Sequence, residues 1–166
     1  SLLGGDGRDS LSGGVGLDQI DGGAGNDLLF GDSGSDTLMG GDGADRLTGG
    51  LARDQLTGGA DADIFVFGIN DFGPNLRSAA DRITDFSHAQ GDRIDLSSID
   101  ASTAAAGDNA FTWIGAAAFG SVAGQLRAVQ DAGNTYVEGD RNGDGLADFA
   151  IRLDGLVALA ASDFVL

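Results

Sequence analysis

The chain of 166 residues has no cysteine and no lysine, and it has one proline (Pro74), one histidine (His88) and one glutamate (Glu138). Each shortage excludes something. Without cysteine there is no disulfide and no thiolate metal site. A lone histidine cannot supply the several nitrogen ligands of a zinc protease centre. Aromatic residues are only 7% of the chain, which leaves little for a large core. No apolar run is long enough to span a membrane as a helix, and no signal peptide opens the chain. The nine cations are all arginine, and the net charge is −17, which disfavours a nucleic-acid partner. No GxSxG elbow is present. The glycines satisfy GxGxxG only by accident, because the required strand and helix do not flank them. An acidic disordered chain would favour glutamate, lysine and proline, and those are the residues that are scarce.

What is abundant is glycine, 30 residues of it, and aspartate. They are arranged with a period of nine. Seven units run without a gap from Gly4 to Val66: GGDGRDSLS, GGVGLDQID, GGAGNDLLF, GDSGSDTLM, GGDGADRLT, GGLARDQLT and GGADADIFV. The first place is always glycine. The sixth is always aspartate: Asp9, Asp18, Asp27, Asp36, Asp45, Asp54 and Asp63. The eighth is always apolar: Leu11, Ile20, Leu29, Leu38, Leu47, Leu56 and Phe65. A role in turns alone would admit Asn, Ser and Gly at the sixth place. Invariant aspartate points to a required carboxylate.

The period predicts six residues of glycine-rich turn followed by a three-residue strand whose middle side chain faces inward. Two units complete one coil, so units n and n+2 stack at roughly the 4.8 Å strand spacing. Asp9 is then expected near Asp27, and Asp18 near Asp36. Two carboxylates at that distance repel by about 1 kcal/mol in water, and by about 3–4 kcal/mol at an effective dielectric of 20. One apolar side chain per nine residues is too little to hold so much glycine in order. Hard cations with oxygen ligands, calcium above all, would resolve both problems.

The nonapeptides resemble the calcium-binding GGxGxDxUx repeat of repeats-in-toxin (RTX) β-rolls. The segments DADIFVFG, DRITDFSHAQGDRIDLSSIDA, AGQLRAV, GDRNGDGLADFAIRLDG and ASDFVL resemble the carboxyl-terminal domain of serralysin-type proteases. That module ends many bacterial proteins exported by type I secretion, and the resemblance covers nearly the whole chain. It implies about five calcium ions. Each would take the second and fourth carbonyls and the aspartate of one turn. The turn two units on would give its first and third carbonyls and its aspartate. The first ion would use Gly5, Gly7 and Asp9 with Gly22, Ala24 and Asp27, and the second Gly14, Gly16 and Asp18 with Gly31, Ser33 and Asp36. The third would use Gly23, Gly25 and Asp27 with Gly40, Asp42 and Asp45, and the fourth Asp32, Gly34 and Asp36 with Gly49, Leu51 and Asp54. The fifth would use Gly41, Gly43 and Asp45 with Gly58, Ala60 and Asp63. Asp32, Ala52 and Asp61 stand where the pattern has glycine. Their carbonyls survive the change, but their turn dihedrals are expected to be the weak point.

Glycine thins out after Asp71, and β-branched and aromatic residues increase. Strands are expected at Arg82–Phe86, Phe111–Ile114, Leu126–Gln130, Thr135–Glu138 and Phe149–Leu153. They read as an antiparallel meander packed through Phe65 and Phe67 on the open end of the roll. A helical turn is expected at SSIDAS. The stretch DRNGDGLAD has an EF-hand-like run of oxygens at Asp140, Asn142, Asp144, the Leu146 carbonyl and Asp148, but lacks the closing bidentate glutamate. A calcium site and a plain hairpin turn both fit it. Asp85 and Asp92 flank a turn and could clasp another ion, or pair with Arg82 and Arg93. His88 is expected in solvent, and Trp113 in the core rather than as a sugar platform.

The expected fold is all-β: a parallel β-roll over residues 1–67, capped by a β-rich antiparallel domain over residues 68–166. The opening SLLGG reads as the tail of an earlier repeat, hence as the carboxyl-terminal piece of a longer, secreted, extracellular protein. The expected function is non-enzymatic: calcium-triggered folding, stabilisation and type I export of an amino-terminal passenger. Asp163, Phe164, Val165 and Leu166 would be the terminal signal read by the exporter. The alternative is a module that binds an anionic polysaccharide such as alginate, through a stripe of Arg77, Arg82, Arg93, Arg127 and Arg152.

Overall fold

The computed structural model describes residues 1–72, 76–103 and 107–166. The nonapeptides build two facing parallel sheets. One takes β1 (Leu2–Asp6), β3 (Gln19–Ala24), β5 (Thr37–Asp42) and β7 (Gln55–Ala60); the other takes β2 (Ser10–Ser12), β4 (Leu28–Phe30), β6 (Arg46–Thr48) and β8 (Ile64–Val66). The register is 18 residues. Ile20 pairs with Leu38 and Leu38 with Leu56 on one side, while Leu11, Leu29, Leu47 and Phe65 stack on the other. From Ile20 to Phe65 every eighth-place side chain is at most 2% exposed. Two units per coil is therefore the observed geometry. The strands are not uniform, however: on the first side they run on through the next Gly-Gly to six residues.

Both sheets cross residue 67. β9 (Arg82–Ile83) pairs parallel with β7, placing Ile83 on Leu56, and β10 (Arg93–Asp95) pairs parallel with β8, placing Ile94 on Phe65. One more coil is thus built from residues that have left the nine-residue period. The first sheet continues through β14 (Phe149–Asp154), β13 (Asn134–Asp140), β12 (Gln125–Asp131) and β11 (Thr112–Trp113); the second ends on β15 (Phe164–Val165). A single apolar core runs through both halves.

Only β12, β13 and β14 form the expected antiparallel meander; β9, β10, β11 and β15 pair in parallel. The reason is the coil, which presents parallel edges, so the strands that continue it must run the same way. The roll's edge is hidden by strand pairing, with aromatics inside: Phe65 lies against Phe86, and Phe67, Phe72, Phe149 and Phe111 make a chain of ring contacts. The expected strand at Arg82–Phe86 is cut to two residues, since Asp85 turns back to the roll. The expected helical turn near Ser97 is a single turn closed by Ile99 N–H to the Leu96 carbonyl.

Candidate metal centre

The sixth-place aspartates form two ladders. The backbone N–H of Asp9 donates to Asp27 Oδ1 at 2.8 Å, and the same bond repeats from Asp18 to Asp36, Asp27 to Asp45, Asp36 to Asp54 and Asp45 to Asp63 at 2.7–2.9 Å. Asp27, Asp36, Asp45, Asp54 and Asp63 are 0–2% exposed. Each carboxylate thus spends one oxygen on the neighbouring rung. The other, Oδ2, is buried without any partner in Asp9, Asp27, Asp36, Asp45, Asp54, Asp63 and Asp81. Buried oxygens without donors are rare, because each costs roughly 1–3 kcal/mol.

Glycine makes room for these oxygens. A Cβ on Gly22 would lie 2.5 Å from Asp27 Oδ2 and 2.6 Å from the Gly40 carbonyl oxygen, and one on Gly40 2.3 Å from Asp45 Oδ2 and 2.5 Å from the Gly58 carbonyl. The first-place glycine therefore faces a carboxylate oxygen together with the first-place carbonyl two units on. Two fourth-place glycines are tighter still: Gly25, at φ +130°, would put a Cβ 1.7 Å from the Gly7 carbonyl oxygen, and Gly34 1.5 Å from that of Gly16. Gly5 has a similar left-handed backbone, φ +98°, with nothing within 4 Å of the added carbon. Gly25→Ala should lower stability in excess calcium by about 3 kcal/mol or more, and Gly5→Ala by about 1–2 kcal/mol, read from thermal midpoints. Equal losses would mean that backbone conformation alone, not the close approach, sets the requirement.

Asp32, Ala52 and Asp61, the three departures from glycine, keep the left-handed turn at φ 70°, 84° and 73°. The weak dihedrals expected there are held, at a steric cost of roughly 1–2 kcal/mol each. Asp32 Oδ2 also takes a bond from the Gly14 N–H and one from the Ser12 hydroxyl.

Burial, opposed by the ladder hydrogen bond and assisted by repulsion from the neighbouring aspartates, raises the carboxyls of Asp36, Asp45, Asp54 and Asp63. Asp45 and Asp54 are pushed up to about 6, and Asp63 to about 7, with Asp92, Asp45 and Asp85 adding to the rise. Asp36 moves up for the same reasons.

The ladders do not stop with the repeats. Asp54 N–H donates to Asp81 Oδ1 at 2.8 Å, and Asp63 N–H to Asp92 Oδ1 at 3.1 Å. Asp81 is 1% exposed, and burial pushes it up to about 8. The reading by period missed it, because the register here jumps from 18 residues to 27 and 29. A signal was available: Asp-Arg followed by Leu or Ile occurs at 45–47, 81–83 and 92–94. Asp85 and Asp92 do approach Asp63. Asp85 accepts the Gly58 and Gly59 N–H groups, and Asp92 Oδ2 accepts the Ser87 N–H. Neither pairs with the arginines weighed for them: Arg82 bonds Asp154, and Arg93 donates to the Phe164 carbonyl.

In the 140–148 loop the side chains close turns. Asp140 accepts from Gly143 and Gly145 N–H, Asp144 from Leu146 N–H, and Asp148 from Arg141 N–H and the Asn142 amide. Leu146 is exposed. His88 is half-exposed but not merely solvated: its Nδ1 meets buried Asp163. Trp113 is partly buried and packs on Phe164 at 4.8 Å between ring centroids. Among the described residues no three acidic or histidine side chains cluster so as to hold a metal. Each rung carries one ladder carboxylate, and the third-place carbonyls expected as ligands, those of Ala24, Ser33, Asp42, Leu51 and Ala60, each accept an N–H bond from the neighbouring coil.

Unpartnered carboxylate oxygens beside the first-place carbonyls of the next coil, repeated rung by rung in a parallel coil, define a calcium-binding β-roll of the repeats-in-toxin kind. Residues 2–166 match the family described as Peptidase M10 serralysin C terminal, and the chain belongs to it. It is also similar to two solution structures of subunits of the Azotobacter vinelandii mannuronan C5-epimerase. AlgE6R3 is 32% identical over 98% of this chain and 80% of that one, with a TM-score of 0.52. AlgE6R2 is 25% identical over 99% and 91%, with a TM-score of 0.54. No curated protein matches the chain significantly. The module is a carboxyl-terminal repeat domain of a kind found in secreted proteins, not a catalytic domain. No helix among the described residues is long and apolar enough to cross a membrane.

Asp36 takes the Asp18 N–H and is paired through its own N–H with Asp54, whereas Asp9 accepts no rung above it. Asp36→Ala should therefore raise the calcium concentration for half-folding about tenfold more than Asp9→Ala, since a buried N–H loses its acceptor as well. Equal effects would count against this stacking register.

Proposed function

We propose that the module is a calcium-dependent folding and export device for an amino-terminal passenger. The observation that carries this reading is the row of seven buried Oδ2 atoms with no partner. The residues that would hold the ions are the sixth-place aspartates with the first- to fourth-place carbonyls of stacked turns. Bound calcium supplies positive charge and six to eight oxygen contacts per ion. In a cytoplasm poor in free calcium, the aspartates repel across each rung and keep the chain extended enough to thread a type I exporter. In calcium-rich surroundings outside the cell, the same residues close the coil, and the roll cannot slip back. Calcium titration of chelated protein should restore β-sheet circular dichroism, and calorimetry should count five or more ions. A count of one or two would overturn the reading.

The terminal signal at Asp163–Leu166 is legible only before folding. Afterwards Phe164 pairs with Ile94, and the Leu96 N–H donates to the Val165 carbonyl. Deleting these four residues should block export by a type I system and also loosen the cap, because Phe164 is 3% exposed. Undiminished export would remove the signal assignment. The polysaccharide reading loses part of its expected stripe: Arg93, on the six-stranded sheet, is tied to the Phe164 carbonyl, and Arg127 to Glu138.

A further inference from the structure

The six-stranded sheet ends in the order β8, β10, β15, so within the sheet the terminal strand is separated from the roll by β10. A chain terminus is poorly ordered unless it is tied down, and a strand of two residues, Phe164–Val165, ties little by itself. Its polar anchors come from β10 and the turn before it. The Leu96 N–H donates to the Val165 carbonyl at 2.9 Å, and the Arg93 guanidinium donates to the Phe164 carbonyl at 2.8 Å. Asp163, just ahead of the strand, is 2% exposed. Its Oδ2 accepts the Ala160 N–H at 2.7 Å, and its Oδ1 meets His88 Nδ1. A carboxylate offers only acceptors, so Nδ1 is the ring nitrogen that carries the hydrogen.

His88 sits on a turn that also grips the roll. Asp85 accepts the Gly58 and Gly59 N–H groups at 2.9 and 2.8 Å, and Gln90 Nε2 donates to the Gly59 carbonyl at 3.2 Å. Asp92 Oδ1 accepts the Asp63 N–H, and the Arg93 N–H donates to the Asp63 carbonyl. The turn is stiff because it is closed on itself. The Gln90 and Asp92 N–H groups donate to the Ser87 carbonyl, the Gly91 N–H to that of His88, and the Ser87 N–H to Asp92 Oδ2. Gly91 supplies the left-handed φ of +98° that other residues adopt only under strain. The two ends of the turn thus hold the last coil of the roll, and its middle holds the chain terminus.

We propose that this turn couples closure of the last coil to concealment of the carboxyl terminus, with His88 as the latch. While the coil is open, Asp85, Gln90 and Asp92 have no fixed partners, the turn is unanchored, and Asp163 to Leu166 stay free. Once the coil closes, the turn is fixed, His88 is presented to Asp163, and Phe164 is drawn into the core beside Ile94. Each event stabilises the other, since a coupling free energy is reciprocal. The coupling deepens the export proposal, on which it rests for the meaning of the terminus: the signal is withdrawn when the final coil of the roll has closed.

The test is hydrogen exchange of the purified full chain in excess calcium, followed amide by amide by nuclear magnetic resonance. His88→Ala should speed exchange at the Leu96 N–H about tenfold. By reciprocity it should also speed exchange at the Gly59 N–H, whose acceptor is Asp85. His88→Asn, whose amide nitrogen stands close to the place of Nδ1, should restore most of the protection. Asp85→Ala, which removes bonds to the roll, should expose Leu96 as well, and adding His88→Ala to it should change little further. Leu11→Ala, at the far end of the same sheet, should leave both amides unchanged. Circular dichroism checks that each variant folds on calcium; were Asp85→Ala not to fold, the two His88 variants set against Leu11→Ala decide. Unchanged exchange at either amide in His88→Ala, additive effects of the Asp85 and His88 substitutions, or equal speeding by Leu11→Ala would overturn the latch. Undiminished export after deletion of the last four residues would remove the signal and leave these exchange rates standing, so the two failures are told apart.

Discussion

Chelating calcium from the purified chain at neutral pH should abolish most of its β-sheet circular dichroism and lower its thermal midpoint by tens of degrees. The cause lies in the ladders. Each rung sets an aspartate against another one coil away, with repulsion of about 3–4 kcal/mol at an effective dielectric of 20. Seven Oδ2 atoms then remain buried with no donor, at roughly 1–3 kcal/mol each. Against this the roll sets only one fully buried apolar side chain per nine residues, while its many glycines add to the entropy lost on folding. A marginal domain holds about 5–15 kcal/mol in all, so these penalties decide the outcome. Restoring calcium should restore the signal reversibly. An unchanged thermal midpoint after EGTA dialysis would sink the proposal that metal holds the coil.

The metal-free chain should respond to pH in the opposite sense to most acid-sensitive proteins. Asp45, Asp54, Asp63 and Asp81 have folded values of about 6, 6, 7 and 8, all above the ordinary 3.8. Their protonation therefore contributes stability that is fully present below about 3.8 and is lost as pH rises through about 6 to 8. EGTA-treated protein should gain β signal on acidification from about pH 8 to about pH 4. In saturating calcium the slope should reverse, because protons compete for ligand oxygens. Where acidification has closed the metal-free coil, calcium binding should release protons, measurable by calorimetry in buffers of differing ionisation enthalpy. A metal-free chain equally unfolded across the whole range would show that these carboxyls are not the groups resisting closure.

Much of the ladder could be read directly from the sequence. A nine-residue period with apolar eighth places gives the coil, its 18-residue register and its core from Ile20 to Phe65. The second- and fourth-place glycines carry the positive φ angles they imply, and even Asp32, Ala52 and Asp61 follow. Beyond residue 67 the period fails, and with it the reading. Asp81 and Asp92 continue the ladders at intervals of 27 and 29 residues, lengths that no repeat count anticipates. His88 looked solvated because its partner, Asp163, is 75 residues away. The loop at 140–148 fitted an ion site and a plain turn alike, because turn-closing and ion-binding aspartates share one composition; its side chains close turns in the structure.

The sequence by itself determined the chemistry of each rung: one carboxylate, one inward apolar side chain, and glycine wherever a Cβ would strike a neighbouring carbonyl. Those are local properties, repeated at fixed spacing. Only the tertiary structure decided where the ladder ends, which aspartate oxygens are left without donors, and which turn grips the terminal strand. The reason is physical. A hydrogen-bond partner or a neighbouring charge is set by what packs alongside, and across the junction between repeat and cap that neighbour is supplied from far along the chain.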